Sequence, residues 1–236
     1  SVIGMMMYLS SNPHPEIQFA VHQCAWFTHC PCASHEEGVK HIFCYLQGVK
    51  DKGLPIKPNL DLQLDCYVDA NFAGLWNYER NQDPVCVKSR TWYVMTLRGC
   101  PILWNSKLQT EIALSTTEAE YIALSQAMRE LIPLRRLLLE VVVAMKLSGM
   151  QGSVIKSTVF EDNNGAISTA TTIKMTPCNK HIAVKYHFFK SHLNVGTGIS
   201  LAKIDTNLKK ADIFTKGLVP QKFVDGNNLC ALEDEV

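Results

Sequence analysis

Four acidic residues lie where predicted strands end or predicted helices begin. Asp69 and Asp162 each close a strand-like segment, Glu120 falls in the first turns of a predicted long helix, and Asp212 opens a last helix. Such positions form a rigid rim on which acids can converge, and a cation relieves their mutual repulsion. Oxygen ligands suit Mg²⁺, and two such ions assist phosphodiester cleavage. The four acids are therefore candidate metal ligands.

Helix geometry separates two neighbouring glutamates. Residues two apart on a helix point about 200° from each other, so Glu118 and Glu120 cannot both face the sheet. Ser115-Thr116-Thr117-Glu118 matches the capping-box pattern, which turns Glu118 back on Ser115. Glu120 lies four residues before Leu124, close to the predicted apolar stripe. We take Glu120 as the ligand; the alternative is that it only flanks the core.

The elements that must position these acids follow a helical first part. Residues 1–59 predict three helices, over 2–9, 17–27 and 34–48, the last with Ser34 in a capping box. Gly53, Pro55 and Pro58 then interrupt the chain, which indicates a domain boundary. We interpret 1–59 and 60–236 as two domains.

After residue 60 the hydrophobic period changes from helical to strand-like. Alternating apolar residues predict a strand over 60–68 that ends at Asp69. The remaining predicted elements are strands over 90–97, 101–108, 157–160 and 199–204, a long helix from Ser115 with a kink at Pro133, a short helix after 160, and helices over 181–194 and from Leu208. This order predicts a mixed α/β domain.

Composition excludes several classes. The chain has 236 residues, of which 47% are apolar and 19% charged, and this composition does not indicate disorder. Its formal net charge is +1, so the net charge does not indicate a protein that is basic overall and binds nucleic acid through its whole surface. No apolar run approaches the ~20 residues of a membrane helix, so no membrane partner is expected. Nine scattered cysteines favour reduced thiols, and Cys30-Pro31-Cys32 lacks the spacing of a structural zinc site.

The acids lie within distinctive stretches of sequence. These are Tyr67-Val68-Asp69-Ala70, Leu114-Ser115-Thr116-Thr117-Glu118-Ala119-Glu120-Tyr121-Ile122-Ala123, Phe160-Glu161-Asp162-Asn163-Asn164-Gly165-Ala166 and Lys210-Ala211-Asp212-Ile213-Phe214-Thr215-Lys216. Together, over roughly residues 60–220, they closely resemble the ribonuclease H domain of copia-type LTR retrotransposon Pol polyproteins. Residues 1–59 resemble the segment that joins reverse transcriptase to ribonuclease H in that family.

The resemblance implies a ribonuclease H-like fold, a five-stranded mixed sheet flanked by helices. It implies that Asp69, Glu120, Asp162 and Asp212 are catalytic and hold two Mg²⁺ ions, with Mn²⁺ as the alternative, to hydrolyse the RNA strand of an RNA/DNA hybrid. The implied partners are the hybrid and the upstream reverse transcriptase domain of the same polyprotein. The implied setting is intracellular, in a cytoplasmic virus-like particle or the nucleus.

Polar and basic residues near the acids are candidates for contacts to the hybrid. Sensing of the RNA 2′-hydroxyl needs polar groups beside the acids, although the same residue types also cap helices and form turns. Phosphate contacts need local basicity, although a charge run is also typical of a solvated face. The polar candidates are Ser115, Thr116, Asn163 and Gln109, and the basic ones are Lys88, Arg90, Lys107, Lys180 and His187.

Two positions depart from the family pattern. Asn71 stands where Asp is usual, and Trp92 stands where Gly is usual in a predicted strand. We expect the large ring of Trp92 to destabilise or bulge the sheet. These departures favour an alternative, a catalytically inactive retrotransposon relic or nucleic-acid-binding module that keeps the fold, whereas the four retained acids favour an enzyme.

Overall fold

The computed structural model describes residues 1–53, 62–74, 84–146, 155–172, 182, 184–193, 197–205 and 233–234. The predicted helix from Leu208, with Asp212, and the basic residue Lys180 lie outside the described residues. Within the described ranges, no helix has both the length and the apolar character needed to cross a membrane.

Three helices form the N-terminal part, with a small core of their own. They are α1 (Val2–Ser11), α2 (Gln18–Trp26), which follows a single 3₁₀ turn (Pro15–Ile17), and α3 (Ala33–Gly48). Their buried apolar side chains are Met6, Ile17, Val21 and Ile42. The helical character of this part is as the periodicity predicts.

The start of α3 differs from the prediction. Cys32, not Ser34, is the N-cap, because its backbone is extended and its N–H donates to the ring Nδ1 of His35 at 3.1 Å. The cap built by Cys32 and His35 takes the place of the expected Ser34–Glu37 capping box.

Five strands form one mixed sheet. They are β1 (Gln63–Asn71), β2 (Arg90–Leu97), β3 (Cys100–Leu108), β4 (Lys156–Glu161) and β5 (Ile199–Lys203). Their spatial order is β3-β2-β1-β4-β5; β1, β2 and β3 pair antiparallel, whereas β4 runs parallel to both β1 and β5. A separate two-residue pairing joins Lys52–Gly53 to Glu233–Asp234. The mixed sheet confirms the predicted fold class.

The helices that follow the hairpin differ in regularity. Helix α4 (Thr116–Ala144) runs for 29 residues with Pro133 inside it, and α5 (Asn164–Thr171) follows β4. The regular helix predicted over 181–194 is wrong, because the described residues there form two 3₁₀ segments, Val184–Tyr186 and Phe188–Leu193. Tyr186 and Phe189, one from each segment, are both buried.

The main core lies between α4 and one face of the sheet. Ala119, Ala123 and Ala127, at four-residue intervals on α4, are fully buried. Larger side chains complete the layer: Leu64, Cys66 and Val68 from β1, Tyr93 and Met95 from β2, and Leu124, Met128 and Leu131 from α4. Small residues on the helix let its first turns lie close to the sheet, at the height where β1 ends.

The N-terminal helices pack against the opposite face, at the β2–β3 side. The indole N–H of Trp104 in β3 donates to the backbone oxygen of Ser10 at 2.8 Å. The guanidinium of Arg90 in β2 lies 5.5 Å from the centre of the Phe19 ring and donates to Gln23 at 3.4 Å. The helical core and the sheet are therefore in contact through α1 and α2.

Trp92 fits within an unbroken strand. Its side chain is fully buried, and it pairs with Asp69 on β1 and Ser106 on β3. The one register shift in the β2–β3 pairing falls between Met95 and Thr96, away from Trp92. The expectation that Trp92 bulges the sheet is wrong. Its side chain lies on the face of the sheet that the N-terminal helices cover, so the ring is buried without a change in strand register.

Candidate active site

Three of the four predicted acids meet at one point. Asp69 is the third residue from the end of β1, Glu120 is the fifth residue of α4, and Asp162 directly follows β4. One carboxylate oxygen from each lies within 4.8 Å of the others. Asp69 is 3% exposed and Glu120 8% exposed, whereas Asp162 is partly exposed. A strand end, a helix start and a strand-to-helix turn thus hold one acidic cluster. We call these three residues the carboxylate cluster.

The start of α4 directs Glu120 into this cluster. The side-chain oxygen of Ser115 accepts the N–H of Glu118 at 3.1 Å, and Oε2 of Glu118 accepts the N–H of Leu114 at 2.8 Å. Glu118 therefore turns back along the chain as the capping pattern predicts, and it accepts the N–H of Leu114, the residue before Ser115. Residues two apart on a helix diverge, which leaves Glu120 on the cluster side.

The turn that carries Asp162 is fixed on both sides. Oδ1 of Asn163 accepts the N–H groups of Gly165 at 2.8 Å and Ala166 at 3.1 Å, which caps α5. Oε1 of Glu161 accepts the N–H of Asn163 at 3.1 Å, and Glu161 is fully buried. The sequence analysis did not single out Glu161. The pattern that could have indicated it is an acid at the end of an apolar strand, directly before a second acid. Its role is to hold the turn that presents Asp162.

Gly165 allows the starts of α4 and α5 to approach. A Cβ at this position would lie 2.8 Å from both Cγ2 and Oγ1 of Thr117 and 3.1 Å from Oδ1 of Asn163. Thr117 is β-branched and its χ1 angle is restricted in a helix, so it has little freedom to move aside. The missing side chain at Gly165 therefore fixes the separation of the two helix starts that carry Glu120 and Asp162.

Three carboxylates this close repel one another unless a cation lies between them. The donor atoms are all carboxylate oxygens, the set that hard divalent cations take. Among the described residues this is the only group of three or more His, Cys, Asp or Glu side chains near enough to share one ion. Cys32 and His35 approach to 3.0 Å on the surface of the helical part, without a third such ligand from the described chain.

A buried thiol, that of Cys66, lies on β1 three residues before Asp69. Burial, with the carboxylates of Asp65 and Glu161 as lesser causes, raises the pKa of the Cys66 thiol. Cys66 therefore stays a neutral core side chain at physiological pH and does not add to the negative charge.

The polar candidates for contact with RNA have different surroundings. Ser115 and Asn163 are the caps of α4 and α5, so the side-chain oxygens that could meet a ligand accept backbone N–H groups. Thr116 is exposed at the first residue of α4. Gln109 is 1% exposed, and its amide donates to Ala119 O at 2.8 Å and Thr91 Oγ1 at 3.1 Å, which makes it a link between β3 and α4.

Two basic candidates contact helices of the fold. Arg90 is 5% exposed and packs against α2, where its guanidinium lies over the ring of Phe19. The ring Nδ1 of His187 lies 2.6 Å from the hydroxyl of Tyr121, and burial, with the charge of Lys190, lowers the pKa of His187. His187 is thus a structural partner of α4. Lys88 is partly exposed and Lys107 exposed.

The sheet order β3-β2-β1-β4-β5, with antiparallel and parallel halves and acids near the end of its central strand, is the mixed five-stranded sheet that the resemblance to ribonuclease H domains implies. The chain is 34% identical over 223 residues to the retrovirus-related Pol polyprotein from transposon TNT 1-94 of Nicotiana tabacum, a match that covers 94% of this chain and 15% of that polyprotein. It is 29% identical to the corresponding polyprotein from transposon RE1 of Arabidopsis thaliana, over 92% of this chain and 14% of the relative.

The chain belongs to the retrovirus-related Pol polyproteins of copia-type transposons, which confirms the resemblance. It spans about one seventh of the length of these relatives. No family model matches it. The crystal structure of LC11-RNase H1 in complex with RNA/DNA hybrid is similar with a TM-score of 0.38 and 15% identity, over 63% of this chain and 91% of that one.

Proposed function

We propose that this segment is a metal-dependent ribonuclease H that hydrolyses the RNA strand of an RNA/DNA hybrid as part of a Pol polyprotein. The observation that carries the proposal is the meeting of Asp69, Glu120 and Asp162 within 4.8 Å, at positions fixed by three different elements. Membership of the Pol family supports it, because a polyprotein that copies RNA into DNA generates such hybrids.

The residues of the cluster suit a divalent cation. Their donor set contains only oxygen, and two of the three side chains are buried, where uncompensated negative charge is costly. In our proposal Asp69, Glu120 and Asp162, with Asp212 as a fourth ligand, would hold two Mg²⁺ ions, for which Mn²⁺ would substitute. Bound metal would supply a Lewis acid for the phosphoryl oxygens and lower the pKa of water.

The contribution of the chain itself is positioning. The caps formed by Ser115 and Asn163 and the buried Glu161 hold the acids rigidly, so little reorganisation accompanies the reaction. Thr116, exposed at the start of α4, is our candidate for contact with the RNA 2′-hydroxyl. The proposed partners are the hybrid and the upstream reverse transcriptase domain, in an intracellular particle or the nucleus.

The test is cleavage of a hybrid labelled on its RNA strand. We expect Mg²⁺-dependent cleavage by the purified chain, none in EDTA, and a loss of at least about 1,000-fold with Asp162→Asn, since metal chemistry contributes several kcal/mol. RNA left intact by the unmodified protein with both Mg²⁺ and Mn²⁺ would overturn the proposal. It would favour the inactive relic or binding module, which predicts identical behaviour of the wild-type chain and the Asp162→Asn variant.

A further inference from the structure

A cleft lies between the N-terminal helical part and the sheet, on the side away from α4. Its volume is about 280 Å³, and both parts line it: His22 and Trp26 come from α2, Lys88 from the segment just before β2, Arg90 from the first position of β2, and Lys107 from the end of β3. We call it the basic cleft. Neither part of the molecule forms it alone, because each contributes one wall.

The lining of the basic cleft is cationic and partly aromatic. Within the described residues its lining includes two lysines, an arginine and a histidine, and no acid. Arg90 is 5% exposed, and burial lowers its pKa to about 10, so it remains charged at neutral pH. Burial, with the charge of Arg90, lowers the pKa of His22, so His22 is the neutral member. Trp26 is 39% exposed at the wall formed by α2.

The charged surface continues around the edge strand β3. A second cavity of about 220 Å³ shares Lys107 and Thr110 with the first and is also lined by Arg129, by the acid Glu130 and by Lys185, which forms an ion pair with Glu111. A track that extends past one cleft into another fits an extended polyanion better than it fits a single small anion.

Strand register sets the distance from the basic cleft to the carboxylate cluster. Asp69 pairs with Trp92 and Trp92 with Ser106, while the next row on that face is Asn71, Arg90 and Leu108. Neighbouring strands lie about 4.8 Å apart, so β3 lies roughly 10 Å across the sheet from β1. Double-stranded DNA rises about 3.4 Å per nucleotide, so about three nucleotides cover this distance.

A buried side chain connects the two sites. Gln109 lines the basic cleft, and its amide donates to the backbone oxygen of Ala119, the residue before Glu120. The cleft is thus held at a fixed position relative to the start of α4, as a site that aligns a substrate with the carboxylates must be.

We propose that α2 and the β2–β3 edge together bind the sugar–phosphate backbone of a nucleic acid, about three nucleotides from the carboxylate cluster. Lys88 and Lys107 contact phosphates, Arg90 supplies fixed charge at the floor, and Trp26 packs against a sugar or base. This inference rests on the proposed function for the identity of the duplex as the RNA/DNA hybrid. It gives the N-terminal helical part a role in substrate positioning.

The test measures binding apart from cleavage. The full chain is titrated with a fluorescently labelled RNA/DNA hybrid in EDTA, between about 50 and 200 mM NaCl. Each phosphate contact removed lowers the slope of log affinity against log salt by about one. We therefore expect the Lys88→Ala/Lys107→Ala variant to lose about two from this slope. Trp26→Ala weakens binding about tenfold with the slope unchanged, and Trp26→Phe restores it.

Lys156→Ala is the matched control, because Lys156 is an exposed lysine at the other end of the sheet, where β4 begins. Slopes and affinities of the cleft variants equal to those of Lys156→Ala would overturn the inference, as would absence of hybrid binding by the wild-type chain. If the wild-type chain binds the hybrid through the basic cleft but shows no Mg²⁺-dependent cleavage, the inference about the cleft is supported and the proposed hydrolysis is overturned. If every cleft variant cleaves normally and has an unchanged salt slope, only the inference about the cleft is overturned.

Discussion

The carboxylate cluster and the basic cleft differ in how their side chains are held. Asp69 and Glu120 are almost fully buried, and hydrogen-bonded caps fix the start of α4 and the turn after β4. Lys107 and Trp26 are exposed, and they come from elements that belong to two separate cores. The carboxylate cluster therefore has a rigid support, whereas the basic cleft depends on packing between two parts of the molecule.

This difference separates what each region contributes. Displacement of a reacting group by a fraction of an ångström changes rate, so the acids need a fixed frame. Contacts between lysines and phosphates act over longer distances and tolerate movement, so exposed side chains are sufficient. We expect changes in the cluster to alter turnover, and changes in the cleft to alter affinity and its dependence on salt.

The largest expected effect comes from the two glutamates at the start of α4. Glu120→Gln removes a carboxylate from the cluster, and we expect hybrid cleavage to fall by at least about 1,000-fold, because the proposed metal loses a charged ligand. Glu118→Gln is the matched control: its side-chain oxygen can still accept the N–H of Leu114, so cleavage falls by less than about fivefold. Single-turnover rates with saturating protein make the comparison, and similar losses in the two variants would refute the assignment of Glu120.

The next effect concerns Trp92, which lies in the row between Asp69 and Ser106. Its side chain is fully buried, so Trp92→Ala leaves a large cavity, and we expect the free energy of unfolding to fall by about 3–5 kcal/mol. Urea denaturation followed by circular dichroism measures the change. Trp26→Ala, at an exposed tryptophan, is the control and changes the free energy of unfolding by about 1 kcal/mol or less. A gain in stability from Trp92→Ala would instead show that the ring is strained, as the alternative of an inactive retrotransposon relic predicts.

The acids of the cluster could be predicted because their positions follow from local rules. Asp69 lies two residues before the end of β1, Asp162 directly follows β4, and helix geometry together with the capping pattern separates Glu120 from Glu118. These rules involve residues close in sequence, so no knowledge of the packing was needed. The alternation of strands and helices gave the fold class for the same reason.

Long-range packing explains what could not be predicted. Arg90 and Gln109 are residue types usually exposed, yet α2 covers Arg90 and α4 accepts a hydrogen bond from Gln109. His187 lies beside Tyr121, a residue 66 positions earlier in the chain. The basic cleft was missed as a unit because His22 and Trp26 join Lys88 only after the helical part packs on the sheet.

The smallest expected effect tests how precisely the carboxylate cluster is held. Gly165→Ala places a Cβ 2.8 Å from two atoms of Thr117, so α5 must move away from α4 and carry Asp162 with it. A shift approaching 1 Å lowers the rate of hybrid cleavage by about 10- to 100-fold, with hybrid affinity in EDTA unchanged because the basic cleft is not touched.

Thr117→Ala removes both clashing atoms, so the Gly165→Ala/Thr117→Ala variant recovers most of the rate, and this coupling separates a steric cause from a general loss of stability. Gly48→Ala, where an added Cβ meets nothing within 4 Å, is the control and keeps the wild-type rate. If Gly165→Ala cleaves at the wild-type rate, the close approach of α4 and α5 does not set the geometry of the cluster, and the two regions differ less in rigidity than their burial indicates.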